Sequence, residues 1–205
     1  MEKLFVSKKE ESVRMFESDF LDKFSRVHYT VPLFIFIPMI GYFLYKTILI
    51  IPEVGMLNVV GLFTLGIFVW TIFEYTIHRY IFHYSPTSKL GKRIHLISHG
   101  VHHDYPNDST RLVMVPSISL PLAVLVYWSF YPLFGAQLIA PFFTAFVSGY
   151  LVYDMIHYSV HNLNFKNKWF QSIKKNHLLH HFKNPSKGYG FTSTYLDDLL
   201  GTNFK

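Results

Sequence analysis

The sequence predicts an all-α integral membrane protein, with about four transmembrane helices and a cytoplasmic helical cap. Three observations carry that prediction. Apolar runs of spanning length alternate with polar segments. Lys and Arg are missing from every second polar segment. Ten of the twelve histidines fall in four clusters at the borders of the apolar runs or beyond them. Half of the 205 residues are hydrophobic and 19% are aromatic, against 16% charged, which suits a chain divided between lipid and water. The length is enough for one domain, 1–205, with its own core. Cysteine is absent, which excludes disulfides, thiolate-ligated haem and cysteine-held iron–sulfur clusters. The net charge of +6 is spread between the apolar runs and not gathered in one patch, so it reads as topology and not as nucleic-acid binding.

Residues 1–29 carry six basic and six acidic side chains. They lack a basic start followed by an apolar core and cleavage site, so no signal peptide is expected. Phe16, Phe20, Phe24 and Val27 form one apolar stripe on a polar helix, which suits a helix lying in the membrane interface or packed on the rest of the protein. Residues 31–51 are apolar apart from Lys46, whose charge can snorkel, and have about the 20-residue length that crosses hydrocarbon. Pro52-Glu53 ends this span. A second span runs from 55 to about 73 and continues as helix to His83. Within the polar loop 78–111, Ser85-Pro86-Thr87-Ser88 marks a cap or turn. Residues 112–134 and 136–156 give two further spans around a tight turn near Gly135, with Pro116, Pro121 and Pro132 bending or ending the third. Residues 157–205 form the cap.

Lys and Arg number six in 1–29, five in 78–111 and seven in 157–205, with none at either the 52–54 turn or the turn near 135. Basic residues mark cytoplasmic segments. Both termini, the central loop and all four histidine clusters are therefore expected on the cytoplasmic side.

The histidines suggest chemistry. His99, His102 and His103 stand at i, i+3 and i+4, and the spacing recurs at His177, His180 and His181. His78/His83 and His157/His161 form looser pairs. On a helix each triplet shares one face, yet adjacent members point about 100° apart, so they serve two metal ions better than one. One first-row ion takes at most about six ligands, and imidazole suits Fe and Zn. Ten ligands thus imply a histidine-rich dimetal site, with Fe expected in the active protein and Zn possible as purified. Neutral imidazoles leave the ions electrophilic, and five ligands apiece leave about one open position on a six-coordinate ion, which is the mark of a catalytic site. At the membrane face a lipid tail can reach such a site, and a di-iron centre there could activate O2 against an unactivated C–H bond. The alternative, surface or pH-sensing histidines, does not account for helical spacing recurring on one predicted face.

Asp154 and Glu74 precede His157 and His78 by three and four residues. With Asp104 and His95 they are candidates to orient the ligands by hydrogen bonds, and His95 could also be an eleventh ligand. No catalytic side chain is expected beyond the ligands themselves. Tyr105 and Pro106 are candidates for the substrate mouth, a plain turn being the alternative. His28 is taken as structural. Trp70, Tyr127, Trp128 and Tyr131 suit the membrane interface. Lys174-Lys175 could face an electron donor, lipid headgroups or only solvent.

The runs His78-Arg79-Tyr80-Ile81-Phe82-His83, His99-Gly100-Val101-His102-His103-Asp104-Tyr105-Pro106 and Arg111-Leu112-Val113-Met114 resemble the fatty acid hydroxylase superfamily. Within it they are most similar to the fatty acid 2-hydroxylases that act on sphingolipid acyl chains. Tyr153 through His161, Lys175 through His181, Gly190-Phe191-Thr192-Ser193 and Gly201-Thr202 continue the likeness in order, so that it covers about residues 16–202. The resemblance implies four membrane helices under a cytoplasmic cap, with a dinuclear metal site between them. It also implies hydroxylation at the 2-position of a free fatty acid or a sphingolipid acyl chain, using O2 and two electrons. Two departures stand out. Eukaryotic members often carry a fused haem electron-donor domain, which this sequence lacks, so a separate donor protein is expected and a bacterial inner membrane is favoured over the endoplasmic reticulum. Leu196-Asp197 stands where the family usually has Trp-Asp. Competing readings are a superfamily member acting on a sterol or carotenoid, a non-enzymatic metal-binding membrane protein, a transporter, and a bis-histidine haem protein. Transport would put ionisable residues in mid-span, and 31–51 and 112–134 contain no Asp, Glu or His.

Overall fold

The computed structural model describes residues 5–204; residues 1–4, at the start of the 1–29 segment, and residue 205, at the end of the cap, lie outside it. All regular structure among the described residues is helical. Its frame is two long hairpins. α2 (Thr30–Val54) and α3 (Met56–Thr76) meet at Gly55, whose φ of 81° lies in the region open to glycine. α6 (Pro116–Asn162) is broken at Gly135 (φ 66°, ψ −176°). The rings of Tyr127 and Phe143 lie 5.2 Å apart and those of Phe130 and Phe142 4.6 Å apart. On a straight helix the first pair would be separated by about 24 Å, so the chain doubles back at Gly135. Gln137 Nε2 donates to Glu53 Oε2 at 3.1 Å, which puts both glycine turns at the same end.

The helices fit one another through small residues. A Cβ on Gly66 would stand 2.3 Å from the Phe142 carbonyl oxygen, and one on Gly149 would stand 2.5 Å from the Trp70 ring. Glycine at these points lets α3 lie directly on residues 136–162, as small residues do between membrane helices. Phe36, Ile139 and Phe142 fill the interior, each no more than 1% exposed. The outer surface is apolar too: Phe34, Leu57 and Leu133 are 79%, 85% and 73% exposed. Three helical stretches, of 25, 27 and 54 residues, are long and apolar enough to cross a membrane, the third containing the Gly135 hairpin. His78 lies 23 residues beyond Gly55 and His157 22 residues beyond Gly135. At 1.5 Å per residue this sets the two histidines about 33–35 Å from that end, close to one hydrocarbon thickness.

The remaining elements close over the histidine end. α3 runs on as a π-helical turn, Ile77–Phe82. α4 (Lys89–His95) is capped by Ser88, which accepts from Gly91 N at 3.0 Å, as the Ser85–Ser88 turn suggests. A second π-helical turn, Leu96–Gly100, leads into α5 (Val101–Asp104). α7 (Lys168–Phe182) is capped by Asn167, and α8 (Tyr195–Leu199) ends the chain's regular structure.

Two expectations need correction. The N-terminal helix is only α1, Asp19–Phe24. Asp22 Oδ1 accepts from the backbone N–H groups of Met15 at 2.7 Å and Phe16 at 3.4 Å. That ties those residues into a loop and leaves Ser18 to cap the helix. The stripe is split accordingly, with Phe20 and Phe24 exposed and Val27 buried. The rest of residues 5–29 is an irregular strap, held by Ser7 N to Asp104 O and Val27 N to Thr110 O, both at 2.8 Å. The third apolar helix starts at Pro116 and not at 112, because the Leu112 carbonyl is turned to a histidine. Pro116 opens the helix, while Pro121 and Pro132 are accommodated within it.

Candidate metal centre

The ten clustered histidines meet at one place, as two sets of five. One set is His78, His83, His99, His103 and His180; the other is His102, His157, His161, His177 and His181. Within each set the potential ligand atoms all lie within 4.8 Å of one another. The adjacent pairs His102/His103 and His180/His181 are split between the sets, as their 100° offset requires. The sets are neighbours: the His103 and His181 rings stack at 4.2 Å.

Local helix geometry explains the spacing. His78 and His83 are five apart, which on an α-helix would turn them about 140° from each other. The π-helical turn brings them together, with His83 N bonding His78 O at 3.2 Å. His157/His161 and the His177 triplet sit on regular α-helix.

The rings are prepared as ligands. His78 Nδ1 donates to Tyr189 O at 2.7 Å, His157 Nδ1 to Leu112 O at 2.7 Å and His180 Nδ1 to Lys187 O at 2.6 Å. A carbonyl can only accept, so each of these Nδ1 atoms holds the proton and each Nε2 is a bare lone pair facing inward. His83 Nε2 faces two such lone pairs, at 3.2 Å from His78 and 2.9 Å from His180, and has at most one proton to share. His157 Nε2 faces His102 Nε2 at 3.0 Å, and His161 Nε2 faces His177 Nε2 at 2.8 Å. Burial, reinforced by the surrounding imidazoles, holds His99, His102, His103, His177 and His181 well below the usual histidine range. Burial likewise pulls His180 down to about 3. The rings are therefore neutral at pH 7, and the Nε2 lone pairs fixed on His78, His157 and His180 point into a site that a cation would satisfy. Ten neutral imidazole nitrogens in two compact sets fit first-row ions such as Fe or Zn.

The orienting groups differ from those expected. Glu74 and Asp154 touch no ligand ring. Glu74 accepts from Phe191 N and Thr192 N, both at 2.8 Å, and from the Thr192 hydroxyl. Asp154 accepts from Tyr150 Oη at 2.7 Å and Met114 N at 3.3 Å. Each carboxylate instead fixes the loop whose carbonyl takes a histidine proton. Asp197, which the ligand argument does not single out, is fully buried and accepts from Tyr189 N at 2.9 Å, Gly190 N at 2.7 Å and Thr202 Oγ1 at 2.6 Å. Glu74 and Asp197 thus clamp the 189–192 loop from two sides. That loop supplies the His78 acceptor and sets the Phe191 ring 4.6 Å from His177 and 5.1 Å from His157. The only hint in the sequence is that Gly190-Phe191-Thr192-Ser193 and Asp197 stand close together. The carbonyl acceptors carry no sequence signal, because every residue has one.

His95 belongs to neither set; its ring lies over Gly100, 3.3 Å from where a Cβ would be. Asp104 takes part through its backbone, accepting from Ser7 N. Pro106 is fully buried and Tyr105 packs edge-on against Phe5 at 5.6 Å. Neither lines the cavities at the histidines. A cavity of about 70 Å³ is walled by Phe82, His99, His102, Arg111, Met114 and His157, among others. A larger one of about 250 Å³ adjoins it through Ser98, His102, Arg111, Val113 and Met114, and is otherwise walled mainly by apolar residues such as Phe16, Phe24 and Ile118. The mouth is therefore formed by the N-terminal strap and not by the Tyr105-Pro106 turn, which the strap covers.

A bundle with an apolar outer surface, bearing ten neutral imidazoles at one end in two sets of five, defines a membrane protein built to hold metal through histidine. Comparison with known proteins agrees. Residues 63–202 match the family model described as fatty acid hydroxylase, and the chain belongs to that family. It is 36% identical over 197 residues to dihydroceramide fatty acyl 2-hydroxylase FAH2 of Arabidopsis thaliana, covering 94% of this chain and 80% of that one. It is 32% identical to fatty acid 2-hydroxylase of Rattus norvegicus, covering 93% of this chain and 56% of that one. The solved structure of full-length scs7p, with only its hydroxylase domain visible, superimposes with a TM-score of 0.83 at 30% identity, over 91% of this chain and 70% of that one. The chain is accordingly an enzyme, an oxidoreductase of the fatty acid 2-hydroxylase type, and an integral membrane protein. The relatives found in Arabidopsis and rat are eukaryotic, so the comparisons lend a bacterial inner membrane no support.

The loop clamp is open to test. Asp197→Ala leaves two buried N–H groups and a hydroxyl without their acceptor, at about 1–3 kcal/mol each. Metal retention should fall about 10- to 100-fold, the usual effect of removing a group that orients a ligand. Asp198→Ala, on the exposed side of α8, should leave metal content unchanged. Equal metal content in the two purified variants would dismiss the clamp.

Proposed function

We propose that the protein is an O2-dependent hydroxylase holding two iron ions, which places a hydroxyl on the 2-position of a fatty acyl chain in a sphingolipid or free fatty acid. The observation that carries this reading is the division of ten neutral histidines into two sets of five. Five ligands per ion leave about one position open on each, and an open position separates a catalytic from a structural site. Iron held by the two sets of five histidines would supply the activation of O2. The reaction balances as C–H, O2, two electrons and two protons giving C–OH and water. The electrons come from a protein donor, for which Lys174 and Lys175, on the same helix as His177 and His181, offer a basic approach.

The chain's own residues perform the remaining work. Tyr189, Leu112 and Lys187 carbonyls fix the protons of His78, His157 and His180 at Nδ1 and so hold each Nε2 ready to bind. Phe82, stacked on His99 at 4.8 Å, and Phe191 exclude water from the two sets. Phe16 of the strap, Phe24 of α1 and the Met114 side chain give a methylene chain an apolar passage to the cavity of about 70 Å³.

His102→Ala and His181→Ala each remove one ligand, and each should abolish hydroxylation in cells and in purified protein. His95→Ala should lose less, and His28→Ala, on an exposed ring bonded only to Thr30, should keep wild-type activity. With 18-labelled O2, mass spectrometry should find one labelled oxygen beside the acyl carbonyl. Label arriving from water, or on a sterol or carotenoid ring, would refute this assignment.

We further propose four membrane crossings, with both termini and the metal centre in the cytoplasm. The Lys/Arg distribution supports this, as does the offset of about 33–35 Å between the glycine turns and the first histidines. A cysteine placed at Glu53 should react with an impermeant maleimide only from the non-cytoplasmic side, and one placed at Lys187 only from the cytoplasm. Labelling of both from one side would eliminate the topology.

A further inference from the structure

Arg111 is the residue of the Arg111-Leu112-Val113-Met114 run to which the metal centre gives no role. Its side chain is 4% exposed. A guanidinium has five N–H donors, and four are used. Nη1 donates to Asp108 Oδ2 at 2.9 Å and Ser12 Oγ at 3.4 Å; Nη2 donates to Val13 O at 2.6 Å and Ser25 Oγ at 3.4 Å. The fifth, at Nε, is buried and has no partner among the described residues. Arg111 also walls both cavities at the histidines, the one of about 70 Å³ and the one of about 250 Å³.

We propose that Arg111 Nε–H binds the carbonyl oxygen of the acyl substrate and thereby selects the 2-position. This rests on the 2-hydroxylase reading above. Phe16, Phe24, Val115 and Ile118 give a methylene chain no register: the chain can slide along them and present any carbon. Register comes from a placed polar contact. C2 is bonded to the carbonyl carbon, so an oxygen held in the wall that Arg111 shares with His99, His102 and His157 leaves C2 beside those rings in preference to carbons further along.

The charge around Arg111 selects the kind of carbonyl. Asp108 lies 2.9 Å from Arg111 and Asp22 3.9 Å, while Arg26 pairs with Asp22 at 2.7 Å. Two cations thus face two anions. An amide or ester carbonyl completes the donor set without disturbing that balance. A free carboxylate would add a net anion to these two balanced pairs. The anchor therefore takes the amide of an N-acyl lipid before a free fatty acid.

The test uses the full-length, metal-loaded protein in lipid nanodiscs. The three ligands are N-stearoyl sphinganine, free stearate, and a neutral ether analogue of the first in which CH2–O replaces the CO–NH of the amide. Arg111→Lys keeps the charge opposite Asp108 and removes Nε–H. KM for the amide should rise about tenfold or more, as expected for a lost hydrogen bond to a charged donor, and the hydroxyl should spread to C3 and beyond. The ether should bind wild type weakly and be unaffected by Arg111→Lys; stearate should bind wild type more weakly than the amide. Unaltered 2-position selectivity in Arg111→Lys, or equal losses for amide and ether, would overturn the anchor. Should Arg111→Lys fail to keep its metals, wild type alone decides, since equal binding of amide and ether overturns the proposal. Stearate bound more tightly than the amide overturns the preference for a neutral carbonyl. Carbonyl-dependent binding without oxidation of any of the lipids supports the anchor and removes the 2-hydroxylase reading instead.

Discussion

The interaction on which the rest of the structure depends is the convergence of unprotonated imidazole nitrogens. Lone pairs about 3 Å apart repel one another, and burial denies them water. Such an arrangement is favoured where rings are held from behind and a cation belongs in front. The backbone carbonyls of Leu112, Lys187 and Tyr189 do the holding for His157, His180 and His78 by fixing the proton at Nδ1, while the Nδ1 atoms of His102, His177 and His181 are buried without a hydrogen-bond partner among the described residues. These carbonyls come from loops, so the loops themselves must be fixed. Glu74, Asp154 and Asp197 serve that end: each is buried and accepts from backbone N–H of a segment that carries or borders an acceptor. A carboxylate placed directly on a ligand ring would add negative charge to the metal site. One layer further out, the same carboxylate fixes geometry and leaves the ions electrophilic.

The membrane helices deliver the ligands to a common height. Gly55 and Gly135 reverse the chain at one end, and His78 and His157 lie nearly equal distances beyond them, 23 and 22 residues. Close approach at Gly66 and Gly149 then brings α3 and the second arm of α6 into direct contact, so that α3 and α6 deliver their histidines side by side. The N-terminal strap lies over this end. It lines the larger cavity and is tied down through Arg111, which links the route taken by a lipid chain to the wall of the metal centre.

The parts of this arrangement set by residue type and period were legible in the sequence. The apolar runs gave the helices, Gly135 the turn, and the offset of His102 from His103 the division into two sets. The π-helical turn was not legible, although the five-residue spacing of His78 and His83 is its trace, because hydropathy does not distinguish i+4 from i+5 bonding over one turn. The orienting groups were misassigned for a related reason. Proximity in sequence put Glu74 and Asp154 beside His78 and His157, but on a helix a residue three or four positions away can bond a loop as readily as the neighbouring side chain. Asp197 and the free donor of Arg111 depend on long-range packing, which one sequence does not display. The stripe from Phe16 to Val27 read as a helix until Asp22 captured the N–H groups of Met15 and Phe16, a side-chain contact that outweighs amphipathic period in a short segment.

The central claim is that the ten histidines form two separate five-nitrogen sites. Its most direct test is metal content, measured by elemental analysis on protein purified intact, for wild type and for His83→Ala and His161→Ala, which thin one set each. Wild type should hold two ions per chain, each single variant should keep one ion firmly and lose the other on mild chelation, and the double variant should lose both. One ion in wild type, or loss of both ions from either single variant, would contradict the account.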